Sequence, residues 1–293
     1  MNLAPIVLFT YNRPIHLWET LTALQKNKLA ADSDLYIFSD NGDDVEPIRK
    51  ILRDFRKDND FKDVGIYYSS EHRGLRNMIL YGVNEILSMH DKAIIVEDDI
   101  VTSPSFLIYM NECLEYFEDN KNIGSITGYN IIKLPGYDKD IYLSQRPGSW
   151  GWATWADRWD GFLQRDISIS RKDKAGFNIG GDDLYRMLKR QRKGYVDSWA
   201  IDWAFYHYKK GMYCVYPKES KVCNIGIGNG TNCTDVTTIY DVQLSNKHVK
   251  IEDIEPTEAT TEAFRKFYSY TLYKRFKLLI YDLLVYPILR HMA

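Results

Sequence analysis

Short apolar runs alternate with helical patterns along the first third of the chain, and this alternation constrains the fold more than any other feature. The runs are rich in β-branched and aromatic side chains, as buried strands are, and cover residues 5–10, 35–38, 64–68 and 93–96. Helical patterns separate them, over residues 15–25, 45–58 and 73–87. This order predicts an α/β fold with a mixed, mostly parallel sheet and helices on both faces.

The rest of the chain continues with a different rhythm. Further helices are expected over residues 103–118, 184–193 and 199–209, and further strands over 123–128 and 213–217. Three stretches read as irregular, namely the polar residues 160–180, a Gly- and Asn-rich loop at 224–233, and an acidic linker at 250–262. We expect one domain over residues 1–245, with halves 1–102 and 103–245, followed by a linker and a C-terminal segment over 246–293.

Composition excludes several classes of function. A formal net charge of -2 argues against a nucleic-acid-binding surface. The four cysteines have no CxxC spacing, which argues against a zinc site and favours reduced thiols in a cytoplasmic protein. The sequence contains no Walker A, GxGxxG or GxSxG motif, no signal peptide and no apolar run long enough to span a membrane.

The C-terminal stretch 264–292 combines aromatic and apolar residues with basic ones. Its longest apolar run, 278–286, is too short to cross a bilayer and contains Asp282. A basic amphipathic helical segment of this kind can lie in a membrane interface, which would make the protein peripheral at the cytoplasmic membrane face. The alternative is a terminal helix packed on the domain or on a second subunit. The sequence leaves the oligomeric state open.

Three acids, Glu97, Asp98 and Asp99, directly follow the strand at 93–96. Ligands of open α/β sheets bind outside the carboxyl ends of the strands, where these acids fall. Adjacent carboxylates repel one another unless a cation or hydrogen-bond donors compensate, and Mg²⁺-type ions share their coordination between one or two carboxylates and phosphates. The triplet therefore indicates a metal–diphosphate site, with an acidic turn before the next helix as the alternative.

Other polar residues stand at the ends of neighbouring strands. The stretch from Thr10 to Arg13 follows the first strand and can place backbone groups and a guanidinium near a nucleotide. Asp40 follows the second strand and suits a base or ribose, although a helix cap is equally consistent. Arg73 follows the third strand and suits a diphosphate, with a surface arginine as the alternative.

These strand ends together resemble a known family. The motifs are Thr-Tyr-Asn-Arg-Pro at 10–14, Asp40, Arg-Gly-Leu at 73–75 and Val-Glu-Asp-Asp at 96–99. They resemble nucleotide-sugar glycosyltransferases of the GT-A fold. The residues after the acids, the Gly-Trp pair at 151–152 and the loop at 220–226 are similar to the N-acetylglucosaminyltransferase I type. The whole looks like bacterial relatives found in surface-polysaccharide gene clusters.

The resemblance implies a role for each matching residue. Asp99 would bind Mn²⁺ or Mg²⁺, Asp98 would lie by the ribose or the metal, and Glu97 near the donor sugar. A UDP-sugar is the favoured donor. The other implied donor-binding residues are Thr10, Tyr11, Arg13 and Asp40 for the nucleoside, Arg73 for the diphosphate or sugar, and Trp150 and Trp152 for the sugar or acceptor. For each tryptophan, packing in the core is the alternative.

Transfer to a hydroxyl also needs a general base, for which a carboxylate is suited. The family carries its base in a Trp-Asp-Asp-Trp run, from which this chain departs at residues 196–203. We favour Asp197, at the expected entry to a helix, over Asp202. Asp182 and Asp183 are weaker candidates.

The sequence therefore predicts a metal-dependent glycosyltransferase, inverting by resemblance, in bacterial surface polysaccharide or glycan synthesis. Residues 1–102 would form its nucleotide-binding half and 103–245 its acceptor-binding half. The acceptor would be a saccharide, and the C-terminal segment favours a lipid-linked one. The alternatives are a sugar nucleotidyltransferase, which usually has a Gly-rich loop after the first strand, and a non-catalytic saccharide-binding protein.

Overall fold

The apolar runs of the sequence form the strands of one central sheet. The computed structural model describes residues 2–43, 45–165, 168–227, 237–271 and 278. Within these ranges the strands are β1 (Ile6–Thr10), β2 (Asp34–Ser39), β3 (Asp63–Tyr68), β4 (Lys92–Glu97), β5 (Ile100–Thr102), β6 (Ile123–Thr127), β7 (Ile141–Ser144), β8 (Trp152–Trp155), β9 (Tyr213–Pro217) and β10 (Val222–Asn224). The helices are α1 (Pro14–Gln25), α2 (Glu46–Lys57), α3 (Leu75–Leu87), α4 (Phe106–Tyr116), α5 (Ala156–Leu163), α6 (Asp173–Phe177), α7 (Leu184–Arg192), α8 (Trp199–Lys210) and α9 (Glu258–Phe267).

The central sheet has the strand order β3-β2-β1-β4-β8-β6-β9-β7. Its first four strands are all parallel, whereas β8 runs antiparallel to both β4 and β6. A separate pair, β5 with β10, lies just beyond the acids that end β4. The mixed, mostly parallel sheet flanked by helices is confirmed.

Alternate side chains of each strand enter opposite layers of the core. Ile6 and Leu8 of β1 pack with residues of α1, α2 and α4 on one face. Val7 and Phe9 face the other way, toward α3, α5 and α8 and a cluster of tryptophans. The register sets Thr10 beside Ser39, and Phe9 beside Glu97, so three parallel strands end at the same edge of the sheet.

The later part of the chain is more regular than the sequence indicates. The stretch 160–180 contains the end of α5 and all of α6, and α9 begins inside the expected linker. Phe264 of α9 is buried against Tyr216, with ring centroids 5.2 Å apart. The expected amphipathic C-terminal extension lies outside the described residues apart from 264–271 and 278, and the domain division stays a prediction. In the described ranges, no helix has the length and apolar character that crossing a membrane requires.

One buried histidine makes the fold sensitive to acid. His207 of α8 is fully buried, and neither ring nitrogen has a hydrogen-bond partner among the described residues. Its ring packs on Gly124, where an added Cβ would lie 2.6 Å from Nε2. Burial lowers the pKa of His207 from the ordinary 6.5 to about 3.

We therefore expect stability to fall below pH 6.5, because the unfolded chain then binds a proton that the folded chain excludes. Between pH 7 and pH 5 the loss from this residue is about 2 kcal/mol. The free energy of unfolding, measured by urea titration at both pH values, should fall less in His207→Phe, which keeps a ring against Gly124. An equal fall in both proteins would contradict the assignment.

Candidate active site

The carboxyl ends of β1, β2 and β4 open onto one cleft of about 880 Å³. The predicted site residues that line it are Thr10, Tyr11, Arg13, Asp40, Glu97, Asp98, Asp99, Trp150 and Asp197. They come from distant parts of the sequence and meet because parallel strands end at the same edge of the sheet.

Arg13 joins two of the three acids. One of its terminal nitrogens lies 2.6 Å from Asp98 Oδ1, and the other lies 2.9 Å from Asp99 Oδ2. Although burial opposes it, the pKa of Arg13 is raised by the charges of Asp98 and Asp99. The guanidinium thus compensates part of the negative charge that the triplet concentrates at the end of β4.

The two aspartates differ in what their oxygens can still bind. Asp98 Oδ2 accepts hydrogen bonds from the Thr10 hydroxyl at 3.0 Å and from the Tyr11 backbone N–H at 3.2 Å. With Arg13 on its other oxygen, the Asp98 carboxylate mainly holds the loop after β1. Asp99 Oδ1, by contrast, is buried and has no hydrogen-bond partner among the described residues. A buried carboxylate oxygen without a partner can still accept a bond from a ligand.

The free oxygen of Asp99 fits a divalent cation. No group of three or more His, Cys, Asp or Glu side chains that could hold a metal occurs in the described ranges. Mg²⁺-type ions do not need such a cage, since they are bound by one or two carboxylates together with substrate phosphates. The loop at Asn224–Gly226 closes over this point, where a Cβ on Gly226 would lie 2.6 Å from Arg13 Nη1.

Glu97 completes the acidic end of the cleft. Burial, followed by the charges of Asp99 and Asp98, raises the pKa of Glu97 to about 8. Burial also raises the pKa of Asp98, against the opposing effect of Arg13. An added positive charge would therefore be bound favourably at this end of the cleft.

Two stacked rings line the cleft at the ends of β1 and β2. The rings of Tyr11 and His72 have centroids 4.8 Å apart. Asp40 accepts hydrogen bonds from the backbone N–H groups of Arg73 and Gly74, each at 2.9 Å, just before α3. Asp40 thus ties the turn before α3 to the end of β2. The N-cap residues of α2 and α3 are Val45 and Gly74, so Asp40 does not cap either helix, and its carboxylate also lines the cleft.

Two of the expected donor-binding side chains lie elsewhere. Arg73 reaches Ser69 Oγ at 3.3 Å and covers the ring of Tyr81, so only its backbone supports the site. Trp152 is fully buried in the core and stacks on Trp199 with centroids 5.0 Å apart, as the core alternative predicts. Trp150 is half-buried and lines the cleft.

The two favoured candidates for the base have different surroundings. Asp197 lines the cleft at the entry to α8, and its side chain is 68% exposed. Asp202 is fully buried and bound by guanidiniums of Arg76 at 3.1 Å, Arg165 at 3.4 Å and Arg192 at 2.7 Å. Asp202 is therefore a counter-ion in the interior and does not line the cleft.

The weaker candidates also have structural partners. Asp183 binds both terminal nitrogens of Arg146, each at 2.8 Å. Asp182 accepts from the backbone N–H of Tyr270 at 3.2 Å. Neither lines the cleft.

Several lining residues were not predicted from the sequence. His72 stacks on Tyr11, and Arg186, Arg190 and Tyr195 also line the cleft. The signal was present for the two arginines, since residues 184–193 read as a basic helix and a spacing of four places side chains on one face.

Comparisons with known proteins find similarity in overall structure only. No family model matches the chain, and no curated protein matches it. The TarS fragment 1–349 from S. aureus is 12% identical over 75% of this chain and 59% of its own length, with a TM-score of 0.46. The chain thus spans about three fifths of that fragment.

Two further structures are similar at a comparable level. The same TarS fragment in complex with UDP-GlcNAc is 10% identical over 74% of this chain and 57% of its own, with a TM-score of 0.44. The mannosyltransferase PcManGT from Pyrobaculum calidifontis, in complex with GDP-Man and Mn²⁺, is 10% identical over 71% and 68%, with a TM-score of 0.40. Scores this low do not decide an activity, so the function proposed below rests on the site.

Proposed function

We propose that this chain is a glycosyltransferase that moves a sugar from a nucleotide-diphosphate donor, a UDP-sugar before others, to a hydroxyl of a saccharide acceptor. One observation carries the proposal. One cleft at the carboxyl ends of parallel strands combines the aromatic ring of Tyr11 with a buried Asp99 oxygen, beside Arg13, that has no partner among the described residues. A nucleoside fits the first feature, and a cation with a diphosphate fits the second.

The donor would lie along the strand ends. Tyr11 and Asp40 would hold the nucleoside, with Thr10 and Asp98 fixing the loop that carries Tyr11. Asp99 would bind Mn²⁺ or Mg²⁺, which, when present, would offset the negative charge that develops on the leaving diphosphate. Arg13 would stabilise the same charge from its fixed position. Glu97 lies at the inner end of the site, where the donor sugar would be.

The acceptor would enter from the side of Asp197. Its hydroxyl must lose a proton as it attacks the anomeric carbon, and an exposed carboxylate in the cleft can accept that proton. Attack from the face opposite the leaving diphosphate would invert the anomeric configuration. Trp150 would pack against a sugar ring.

The proposed biological setting comes from the composition of the C-terminal residues and from the strand-end motifs. The basic, aromatic composition of residues 264–292 favours an interface with the cytoplasmic membrane face and a lipid-linked acceptor. Synthesis of bacterial surface polysaccharide or glycan follows from the resemblance of the strand-end motifs. In this setting residues 1–102 bind the nucleotide and 103–245 bind the acceptor.

A thermal-shift screen of nucleotide sugars, with and without Mn²⁺, tests the proposal. We expect one donor to raise the melting temperature only with Mn²⁺, because a ligand at about 100 times its Kd stabilises by about 2.7 kcal/mol. Asp99→Ala should lose the shift, while Asp54→Ala, an exposed acid of α2, should keep it. No shift with any nucleotide sugar would overturn the proposal. The product then separates the alternatives. A glycosyltransferase releases nucleoside diphosphate from the nucleotide sugar, whereas a nucleotidyltransferase acts on it only by consuming pyrophosphate.

A further inference from the structure

Residues of α7 and of the turn before α8 line the same cleft as the acids. Arg186 and Arg190 lie one helical turn apart and both line the cleft, together with Met187 and Tyr195. Guanidiniums form forked hydrogen bonds to phosphate and carboxylate groups. An aromatic ring beside them can pack on the apolar face of a sugar.

The part of the cleft lined by α7 carries more guanidiniums than carboxylates. Arg186 and Arg190 line it, and Asp197 is the one acid beside them among the described lining residues, with a largely exposed side chain. At the strand ends, by contrast, Arg13 is already paired with Asp98 and Asp99. A negatively charged group of a ligand would therefore be attracted to the two arginines of α7.

A cluster of arginines next to α7 adds to this positive charge. Arg76, Arg165 and Arg192 all contact the fully buried Asp202, and Arg76 also lies 3.7 Å from Asp197, so in the described part of the chain three guanidiniums share two carboxylates. The pKa of Arg165 is lowered, first by burial and then by the charges of Arg76 and Arg192, although Asp202 opposes this. Arg192 belongs to α7 itself, which ties the lining arginines to this cluster.

We propose that the acceptor is an acidic saccharide, whose phosphate or carboxylate group is bound by Arg186 and Arg190. This inference rests on the proposed function and specifies its acceptor class. Arg13, together with the Asp99 oxygen that has no partner among the described residues, already provides for the donor diphosphate, so we assign the two arginines of α7 to the acceptor. Tyr195 and Trp150 would contact the sugar that carries the acidic group.

A titration of three sugars tests the proposal with the donor site filled by UDP and Mn²⁺. Glucose 6-phosphate carries the phosphate, glucuronate carries the carboxylate, and glucose is the neutral control. By calorimetry, at least one of the acidic sugars should bind about tenfold more tightly than glucose, because hydrogen bonds between charged groups are stronger than those between neutral ones. Which of the two binds identifies the acidic group.

Variants locate the site. Arg186→Ala with Arg190→Ala should weaken binding of the acidic sugar about tenfold or more and leave the affinity for UDP unchanged. The control is Arg53→Ala, an exposed arginine of α2 that should change neither affinity. Equal binding of the acidic and neutral sugars, or unchanged binding in the double variant, would overturn the proposal. So would a double variant that lost affinity for UDP instead, since the arginines would then serve the donor.

The same titration separates this inference from the proposed function. If UDP does not bind, the proposed function fails, and the sugars are titrated into the unloaded protein. Arginine-dependent binding of an acidic sugar would then support the anion site by itself. If no acidic sugar bound to the unloaded protein in this way, the proposed anion site would be excluded as well.

Discussion

Asp202→Ala is expected to lower the free energy of unfolding by about 3–5 kcal/mol, the cost of removing one partner from a buried ion pair. The carboxylate of Asp202 is fully buried and is shared by Arg76, Arg165 and Arg192. Without this carboxylate, the positive charges of three guanidiniums, from α3, from α7 and from the residues just after α5, would repel one another. Urea titration at neutral pH measures the loss.

Asp197→Ala is the matched control, because Asp197 also faces Arg76, at 3.7 Å, but is largely exposed. An exposed ion pair contributes up to about 1 kcal/mol, so stability should change little. Turnover at saturating donor should instead fall by about 10²–10⁴-fold if Asp197 is the base. Unchanged stability in Asp202→Ala would contradict its role as a counter-ion, and normal turnover in Asp197→Ala would remove it as the base.

Asp99→Ala is expected to reduce turnover by on the order of 10³-fold, because it removes a buried carboxylate oxygen that has no partner among the residues the structure describes. The fold should persist, since Arg13 retains Asp98, and Asp98 retains the hydroxyl of Thr10 and the backbone N–H of Tyr11. Release of nucleoside diphosphate measures turnover, and the melting temperature without ligand reports the fold.

Asp54→Ala, on the exposed face of α2, again provides the control and should retain full turnover. Activity undiminished in Asp99→Ala would exclude Asp99 from the metal site. A melting temperature that fell strongly would mean that Asp99 is needed for folding, and the loss of turnover would then say nothing about a metal.

The part of the fold that the sequence predicts well is the part governed by local pattern. The runs at β1, β2, β3 and β4 are apolar over both faces and separated by long helical patterns, so few other arrangements can bury them. The short strands β5, β7, β8 and β10 were not predicted. For example, β8 at Trp152–Trp155 pairs with β4 across more than 50 residues of sequence, and its tryptophans show no alternation that would distinguish a strand.

The residues of the site could be predicted to the same extent, well where local pattern decides their position and poorly where tertiary packing does. Residues at the strand ends could be placed because the topology brings those ends together, and Arg13, Asp40 and the acid triplet all line the cleft. Side chains on helices were harder, because the direction in which a helix turns its polar face depends on tertiary packing. Thus Arg76 of α3, rather than Arg73 before it, contacts both Asp197 and Asp202.

The tryptophans and the basic helix show the limit most clearly. Trp150 and Trp152 are only two residues apart in the sequence. Nevertheless, Trp150 lines the cleft, whereas Trp152 packs on Trp199 in the core. Arg186 and Arg190 line the cleft because of the way α7 packs on the rest of the domain. This long-range packing is not encoded in any local sequence pattern.

The most direct test of the metal–diphosphate site is a crystal structure with UDP and Mn²⁺, using anomalous scattering to locate the metal. We expect an anomalous peak from a Mn²⁺ ion that contacts both Asp99 and the diphosphate. We also expect the uracil ring to lie at Tyr11, beside Asp40. Crystals of Asp99→Ala should lose the peak. A diphosphate bound away from the ends of β1 and β4, or a Mn²⁺ ion that does not contact Asp99, would contradict the proposed site.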